Sequence, residues 1–252
     1  MFIAKDGKSY DGDIMVNADT LFMELINNKR VALVGPGRTL TDNCEYIEGC
    51  DTVVRCGQTL PILDGNIRFY GRRTDIVYNS LDNAVISGGN ISILLRLWKE
   101  NNIKLVCNTY PKSEFFYMSN INANSEYVSK FYPVKQMNVE IYTKYKNLGH
   151  SRPNSGFSAL FDLFEAKPKE LFIVGVDMMR STAYKEYKPE SKMGHWSRND
   201  YWEDMEVGPF NHHNPDKQYR LFKELYYNNK NIKVDPTIEA IFNDPKNDFL
   251  KE

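Results

Sequence analysis

The chain alternates short apolar runs with longer amphipathic stretches. Six apolar-rich runs stand out along it: 31–34, 51–57, 76–80, 104–107, 171–177 and 232–234. A short apolar run of this kind predicts a strand that is buried on both faces, as strands of parallel sheets are. Because helical patterns separate the runs, the order predicts an α/β fold with a mostly parallel, Rossmann-like sheet flanked by helices.

The stretches between the runs predict the helices. Helical spacing of apolar residues begins at Asn17, Ile91, Ser155 and about Asp216, and shorter helices are expected after Asn43 and near Thr237. Residues 1–16 alternate and predict a hairpin, whose Asp11-Gly12-Asp13 segment is interpreted as a polar turn rather than an acidic metal motif. Residues 110–145 show little periodicity, so we expect mixed helix and loop there.

The length and the apolar content suit a single domain. The chain has 252 residues, of which 42% are hydrophobic. We expect residues 1–29 to form an N-terminal hairpin and helix, 30–235 the core with its functional site, and 236–252 a C-terminal helix and tail.

Charge and hydropathy limit the classes of partner. The formal net charge is −1, so no overall positive field attracts nucleic acid, although a local basic groove is compatible with this value. The sequence predicts no membrane span and no signal peptide, and therefore a soluble, cytoplasmic protein. Frequent Asn and Lys hint at an AT-rich genome such as that of a virus, in which case the location is the host cytoplasm.

The cysteine pattern predicts free thiols. The four cysteines lie in the first half of the chain without a Cys-x-x-Cys pair, and the four histidines lie in the second half. This separation disfavours a structural zinc site, and we expect no metal and no cofactor.

Several predicted strands end in residues that suit a ligand site. Gly35-Pro36-Gly37 follows the first strand, where glycine would let the backbone approach a ligand closely or simply form a turn. Arg55 ends the second strand and could bind a phosphate or carboxylate, or form a structural salt bridge. Asn79 ends the third strand and could face the same crevice.

Two further patterns carry candidate chemistry. Asn154-Ser155-Gly156 begins an apolar helix, and a helix N-terminus offers free N–H groups and a positive dipole end to phosphate. His195, His212 and His213 lie in one polar stretch, and histidine is suited to general-base catalysis near neutral pH. Ordinary surface or capping histidines remain the alternative.

Four separated stretches together resemble the motifs of eukaryotic-type sialyltransferases. They are Val34-Gly35-Pro36-Gly37-Arg38-Thr39-Leu40 with Tyr46 to Gly57, Pro153-Asn154-Ser155-Gly156 with the strand from Leu171, His195-Trp196, and His213 with Gln218. The resemblance covers about residues 30–226. It implies a variant of the GT-A fold that transfers a sugar from a CMP-sugar without a metal.

The resemblance and the strand ends together give an expected set of site residues. The expected donor-binding residues are Gly35, Pro36, Gly37, Thr39, Arg55, Gly57, Asn79, Asn154, Ser155 and Gly156. His213 or His212 is expected to deprotonate the acceptor hydroxyl. His195 is expected to stabilise the departing phosphate together with the N–H groups of Ser155 and Gly156.

This sequence departs from the family at three motif positions. Pro36 and Gly57 replace two asparagines that hold the donor phosphate in the family, and Gln218 replaces a glutamate. The family's disulfide cannot form because no cysteine follows Cys107.

Three functions are compatible with these patterns. The first is an inverting transfer of a sugar from a nucleotide donor to an acceptor hydroxyl, with a glycan as acceptor and a histidine as general base. The second is a phage-type enzyme that moves a UDP-sugar, for example a pentose, onto hydroxymethylcytosine in DNA. Its phosphate track would be Arg72, Arg73, Lys144, Lys146 and Arg152. The third is an inactive nucleotide- or glycan-binding module. The oligomeric state stays open.

Overall fold

A seven-stranded sheet forms the centre of the molecule. The computed structural model describes residues 17–57, 60, 64–82, 91–113, 119–178, 180 and 213–247. The strands are β1 (Arg30–Val34), β2 (Thr52–Cys56), β3 (Ile76–Asn79), β4 (Leu105–Asn108), β5 (Val134–Lys135), β6 (Glu170–Val174) and β7 (Ile232–Val234). Their order is β5-β4-β3-β2-β1-β6-β7, and every described pair is parallel. The predicted α/β class with a mostly parallel sheet is confirmed.

Nine helices accompany the sheet in the described part of the chain. They are α1 (Ala18–Ile26), α2 (Cys44–Glu48), α3 (Ile67–Tyr70), α4 (Ile91–Glu100), α5 (Ser119–Val128), α6 (Val139–Leu148), α7 (Ser155–Glu165), α8 (Pro215–Asn228) and α9 (Pro236–Asn243). Single 3-10 turns cover Asp64–Asn66 and Pro245–Asn247. None of these helices is long and apolar enough to cross a membrane.

Strand residues alternate between two apolar cores, one on each face of the sheet. Val31 and Leu33 pack in a core with α1, α7, α8 and α9, whereas Ala32 and Val34 point to the opposite face, towards α2 and α3. A third cluster extends that second face beneath α4 and α5. Alternation follows from the two-residue period of a strand, and helices on both faces explain why the strands are apolar throughout.

The structure differs from the prediction in the 110–145 stretch. Two helices, α5 and α6, flank the two-residue strand β5, which pairs with β4 at the edge of the sheet. A strand this short gives no period-2 pattern to detect. The predicted N-terminal hairpin over 1–16 lies outside the described residues.

Candidate active site

The order of the strands opens a crevice between β1 and β6. Successive strands run from β1 to β5 in one direction, and the chain then crosses to the other side of β1 to form β6 and β7. In such sheets a ligand binds beyond the carboxyl ends of the strands where the direction reverses. The residues after β1 and β6 therefore form the first walls of the candidate site.

Gly35 and Gly37 allow the backbone after β1 to contact the backbone after β6. The N–H of Gly35 donates to the Val174 carbonyl at 2.8 Å, and the N–H of Gly37 donates to the Gly175 carbonyl at 2.7 Å. A side chain on Gly35 would overlap the Gly175 carbonyl oxygen. The close approach predicted for these glycines is present, but its partner in this structure is the neighbouring loop. Pro36 between them is partly exposed.

The N-terminus of α7 lies beside these loops and presents two N–H groups. Asn154 caps the helix, because its side chain accepts from the Phe157 N–H at 2.8 Å. A Cβ at Gly156 would lie 3.0 Å from Val176 and 3.8 Å from Cys56, so this end sits between the ends of β6 and β2. The N–H groups of Ser155 and Gly156 donate to none of the described residues. They are available to an anion or to water.

His213 precedes α8 and contacts the loop before α7. Its Nδ1 lies 2.7 Å from the carbonyl oxygen of Arg152. A carbonyl only accepts hydrogen bonds, so Nδ1 carries the proton and, in the neutral ring, Nε2 is the unprotonated nitrogen. This is the tautomer that a general base needs if Nε2 faces the acceptor. His195 and His212 lie outside the described residues, and their roles stay predictions.

Gln218 joins the same loop to α8 from within the protein. Its side chain is fully buried and donates from Nε2 to the Arg152 carbonyl at 2.9 Å and to Ser151 Oγ at 3.3 Å. Its Oε1 accepts from the Asn154 N–H at 3.5 Å, and Ser151 Oγ also accepts from the Asn214 N–H at 2.7 Å. These bonds tie the starts of α7 and α8 together.

Arg152 supplies a cation at this junction. Its guanidinium carbon lies 5.3 Å from the centre of the Tyr110 ring, a cation–π contact. Within the described ranges no carboxylate forms an ion pair with it. A partly exposed arginine without an acidic partner can bind a phosphate or carboxylate of a ligand.

Arg55 has a structural environment. It is fully buried, its Nε donates to Thr74 Oγ1 at 2.8 Å, and its Nη2 donates to the carbonyls of Tyr70, Gly71 and Arg73. These contacts correct the expectation of a donor-binding Arg55. The partners are mostly backbone carbonyls, so the salt bridge considered as the alternative is not what holds the side chain.

Thr39 also belongs to a buried network. Its Oγ1 donates to Asp235 Oδ2 at 2.5 Å, and its N–H donates to the Tyr70 hydroxyl at 3.1 Å. The Tyr70 hydroxyl in turn donates to the Gly37 carbonyl at 3.0 Å, and burial raises the pKa of Tyr70 to about 12. Thr39 therefore joins the loop after β1 to the start of α9, and this contact replaces the donor contact expected of it.

The ends of β2, β3 and β4 complete the rim of the crevice. Gly57 has φ of +72° and donates its N–H to the Tyr78 carbonyl at 2.9 Å. Asn79 accepts from the Leu81 N–H at 2.8 Å, and Asn108 accepts from the Tyr110 N–H at 3.0 Å in the same kind of turn. The sequence analysis missed Asn108, although an asparagine directly after an apolar run was the available signal.

Two buried ion pairs near the site were also missed. Arg180 Nη1 lies 2.5 Å from Asp216 Oδ1, with side chains 1% and 2% exposed, and Arg180 stacks over the Tyr219 ring at 4.3 Å. Lys135 Nζ lies 2.7 Å from Asp162 Oδ2. Each pair joins elements that are far apart in sequence, so no local pattern indicates it.

The basic residues proposed as a DNA phosphate track are not brought together. Arg72 pairs with Asp64, Arg73 with Asp75, and Lys144 with Glu165. The first two precede β3, whereas Arg152 precedes α7 at the opposite edge of the sheet. Lys146 lies over the Tyr142 ring.

The cysteines are free thiols, as predicted. Burial raises the pKa of Cys50 to about 11 and that of Cys56 to about 12. Both are therefore neutral near pH 7 and are poor nucleophiles. In the part of the chain that the structure describes, no group of three or more His, Cys, Asp or Glu side chains is placed to hold a metal ion.

Comparison with known proteins gives structural neighbours only. No protein-family model matches the sequence, and a search of curated proteins finds no match. Among solved structures, the chain is similar to an apo α-2,3-sialyltransferase from Campylobacter jejuni, with 18% identity, a TM-score of 0.46, and coverage of 86% of this chain and 80% of that one.

Two further Campylobacter jejuni structures are similar. The sialyltransferase CstII, in complex with the substrate analogue CMP-3FNeuAc, has 13% identity, a TM-score of 0.44, and coverage of 82% and 78%. The monofunctional α-2,3-sialyltransferase Cst-I has 15% identity, a TM-score of 0.45, and coverage of 84% and 78%.

Proposed function

We propose that the protein is an inverting, metal-independent glycosyltransferase of the sialyltransferase type. It moves a sugar from a CMP-sugar to an acceptor hydroxyl. The observation that carries the proposal is the meeting of three features at one loop. The N–H groups at the start of α7, the cation of Arg152 and the oriented ring of His213 all belong to residues 152–156 or contact them. The order of sequence motifs described above also supports it.

The donor phosphate binds at the start of α7 in this proposal. Ser155 and Gly156 offer two N–H groups, the helix dipole adds a positive end, and Arg152 adds a full charge. When the bond between the anomeric carbon and the phosphate oxygen breaks, its electron pair leaves with CMP. Donors aimed at that oxygen lower the barrier by stabilising the charge that develops there. His195 remains a predicted contributor.

His213 accepts the proton in this proposal. Its Nε2 takes the proton of the acceptor hydroxyl while the acceptor oxygen attacks the anomeric carbon from the face opposite the leaving phosphate. Attack from that face inverts the configuration. The Arg152 carbonyl accepts from Nδ1 and stabilises the imidazolium that forms.

A thermal-shift panel tests the donor site. CMP, UMP, UDP and duplex DNA are added to the wild type and to two matched variants, Arg152→Met and Arg72→Met. A ligand at about 100 times its Kd stabilises the protein by about 2.7 kcal/mol. We expect selective stabilisation by CMP, about 10- to 100-fold weaker CMP binding in Arg152→Met, and no change in Arg72→Met.

Other outcomes of the panel overturn parts of the proposal. Selective stabilisation by UDP, or by duplex DNA in a salt-dependent manner, replaces it with transfer to a modified DNA base. CMP binding without turnover or hydrolysis of CMP-sugars identifies an inactive binding module.

A further inference from the structure

The peptide bond between Arg152 and Pro153 has one hydrogen-bonding group. Proline has no N–H, so the Arg152 carbonyl alone determines how this peptide unit is held. That oxygen accepts from His213 Nδ1 at 2.7 Å and from Gln218 Nε2 at 2.9 Å. One carbonyl oxygen has two lone pairs, and both are used.

The two donors differ in how firmly they are held. Gln218 is fully buried, and its amide also donates to Ser151 Oγ and accepts from the Asn154 N–H. His213 is partly exposed and lies before the first turn of α8. The Gln218 amide is therefore the fixed donor, and the position of the carbonyl that orients the histidine depends on it.

An amide suits this position better than a carboxylate. The Gln218 side chain donates through Nε2 and accepts through Oε1 at the same time. An ionised glutamate accepts only, so its oxygen would face the Arg152 carbonyl without a proton between them. The glutamine is a departure from the related motif and has its own function here.

We propose that Gln218 is a positioning residue for His213: it fixes the Arg152 carbonyl, and that carbonyl holds the ring with the proton on Nδ1. Its importance for turnover rests on the proposed function, but its effect on the ring does not. Loss of the amide frees the 152–153 peptide unit, so the ring is no longer held in one tautomer and orientation. Gln218 does not contact the substrate in this scheme.

Nitrogen NMR of the full chain labelled with ¹⁵N-histidine reads the tautomer directly. His213→Asn assigns the His213 signals among those of the four histidines. In the wild type we expect Nδ1 protonated and Nε2 unprotonated above the titration of the ring. In Gln218→Met, which keeps the side-chain length but loses the amide, we expect loss of this preference. Gln136→Met, at a glutamine after β5, is the matched control and should match the wild type.

Kinetics give a second readout. We expect Gln218→Met to lower kcat by about 10²-fold while the KM for the donor changes little, because the ring is misplaced and the phosphate site is kept. A uniform rise in KM instead would mean that Gln218 shapes the donor site.

The outcomes separate this inference from the proposed function. A wild-type ring with its proton on Nε2, or an unchanged tautomer in Gln218→Met, overturns the inference. The wild-type spectrum needs no variant, so the test holds even if Gln218→Met does not fold. If the tautomer shifts as expected but His213→Asn retains full turnover, the positioning of the ring stands and the role of His213 as base fails.

Discussion

The first turn and the centre of α7 treat polar groups in opposite ways. At the first turn, the N–H groups of Ser155 and Gly156 donate to none of the described residues. Two turns later, Asp162 is 2% exposed and accepts from Lys135 at 2.7 Å and 3.0 Å and from the Tyr78 hydroxyl at 2.7 Å. A site must leave hydrogen-bonding groups for its ligand, whereas a charge in the core must be fully paired.

The paired centre keeps the open end in place. Burial acts to lower the pKa of Lys135, but the Asp162 carboxylate outweighs it and the pKa is raised. Burial and the same carboxylate raise the pKa of Tyr78 well above its ordinary value. The lysine therefore stays charged and the phenol neutral near pH 7, and together they hold α7 against β3 and β5.

Removal of the central carboxylate should give the largest effect. Asp162→Leu leaves the Lys135 ammonium buried without its partner, so we expect a loss of about 3–5 kcal/mol in the free energy of unfolding. Urea denaturation followed by circular dichroism measures it.

The control removes the partners as well. Asp162→Leu combined with Lys135→Met and Tyr78→Phe leaves no buried charge or unpaired hydroxyl, and most of the lost stability should return. If the triple variant is as unstable as Asp162→Leu alone, the loss comes from packing rather than from the unpaired charge.

The open end should respond in turnover rather than in stability. His213→Asn can still donate to the Arg152 carbonyl but cannot accept a proton, so we expect turnover to fall by about 10² or more, equivalent to about 2.7 kcal/mol. The assay follows CMP release with a CMP-sugar and an acceptor. His150→Asn is the matched control, because His150 is exposed, and asparagine tolerates its φ of +49°. Equal turnover in both variants would remove His213 from the mechanism.

The contrast along α7 also explains what the sequence could predict. Capping is local, and Asn17 and Asn154 mark the starts of α1 and α7 as expected, each accepting from N–H groups of the first turn. The strands were predictable for the same reason, because a buried run is apolar along its own length. The helix N-terminus that carries the proposed phosphate site is therefore visible in the sequence.

The partners of buried polar groups are not local. Arg55 was recognised as an unusual strand end, but its carbonyl partners at 70–73 are adjacent only in the folded chain. Lys135 meets Asp162 across the sheet, and Gln218 meets the Arg152 carbonyl where two helices begin. A single sequence identifies these residues as polar and leaves their partners undetermined.

Loss of the Asn154 cap should have a smaller effect on stability, and it separates the site from an ordinary helix end. Asn154→Ala and Asn138→Ala each remove an N-cap, of α7 and α6, so each should cost about 1 kcal/mol in unfolding free energy. Only Asn154→Ala should weaken CMP binding, measured by titration calorimetry. Equal CMP affinity in the two variants would mean that the phosphate does not bind at the start of α7.

The exposed C-terminal end of α7 should give the smallest effect. Burial acts to raise the pKa of Glu165, but hydrogen bonds from Lys144 and Tyr145 outweigh it, so the pKa is lowered. A lowered carboxyl pKa stabilises the fold above the pKa of the unfolded carboxyl, and the benefit is lost as the pH falls through the folded value.

Lys144→Met should reduce this pH dependence. We expect the difference in unfolding free energy between neutral and acidic pH to shrink by less than about 1 kcal/mol, because the Lys144–Glu165 pair is partly solvated. Urea titrations at both pH values measure it, and Lys146→Met on the same helix is the control. A reduction as large as that in Asp162→Leu would contradict the contrast, because burial would then not decide how much a charged partner on α7 contributes.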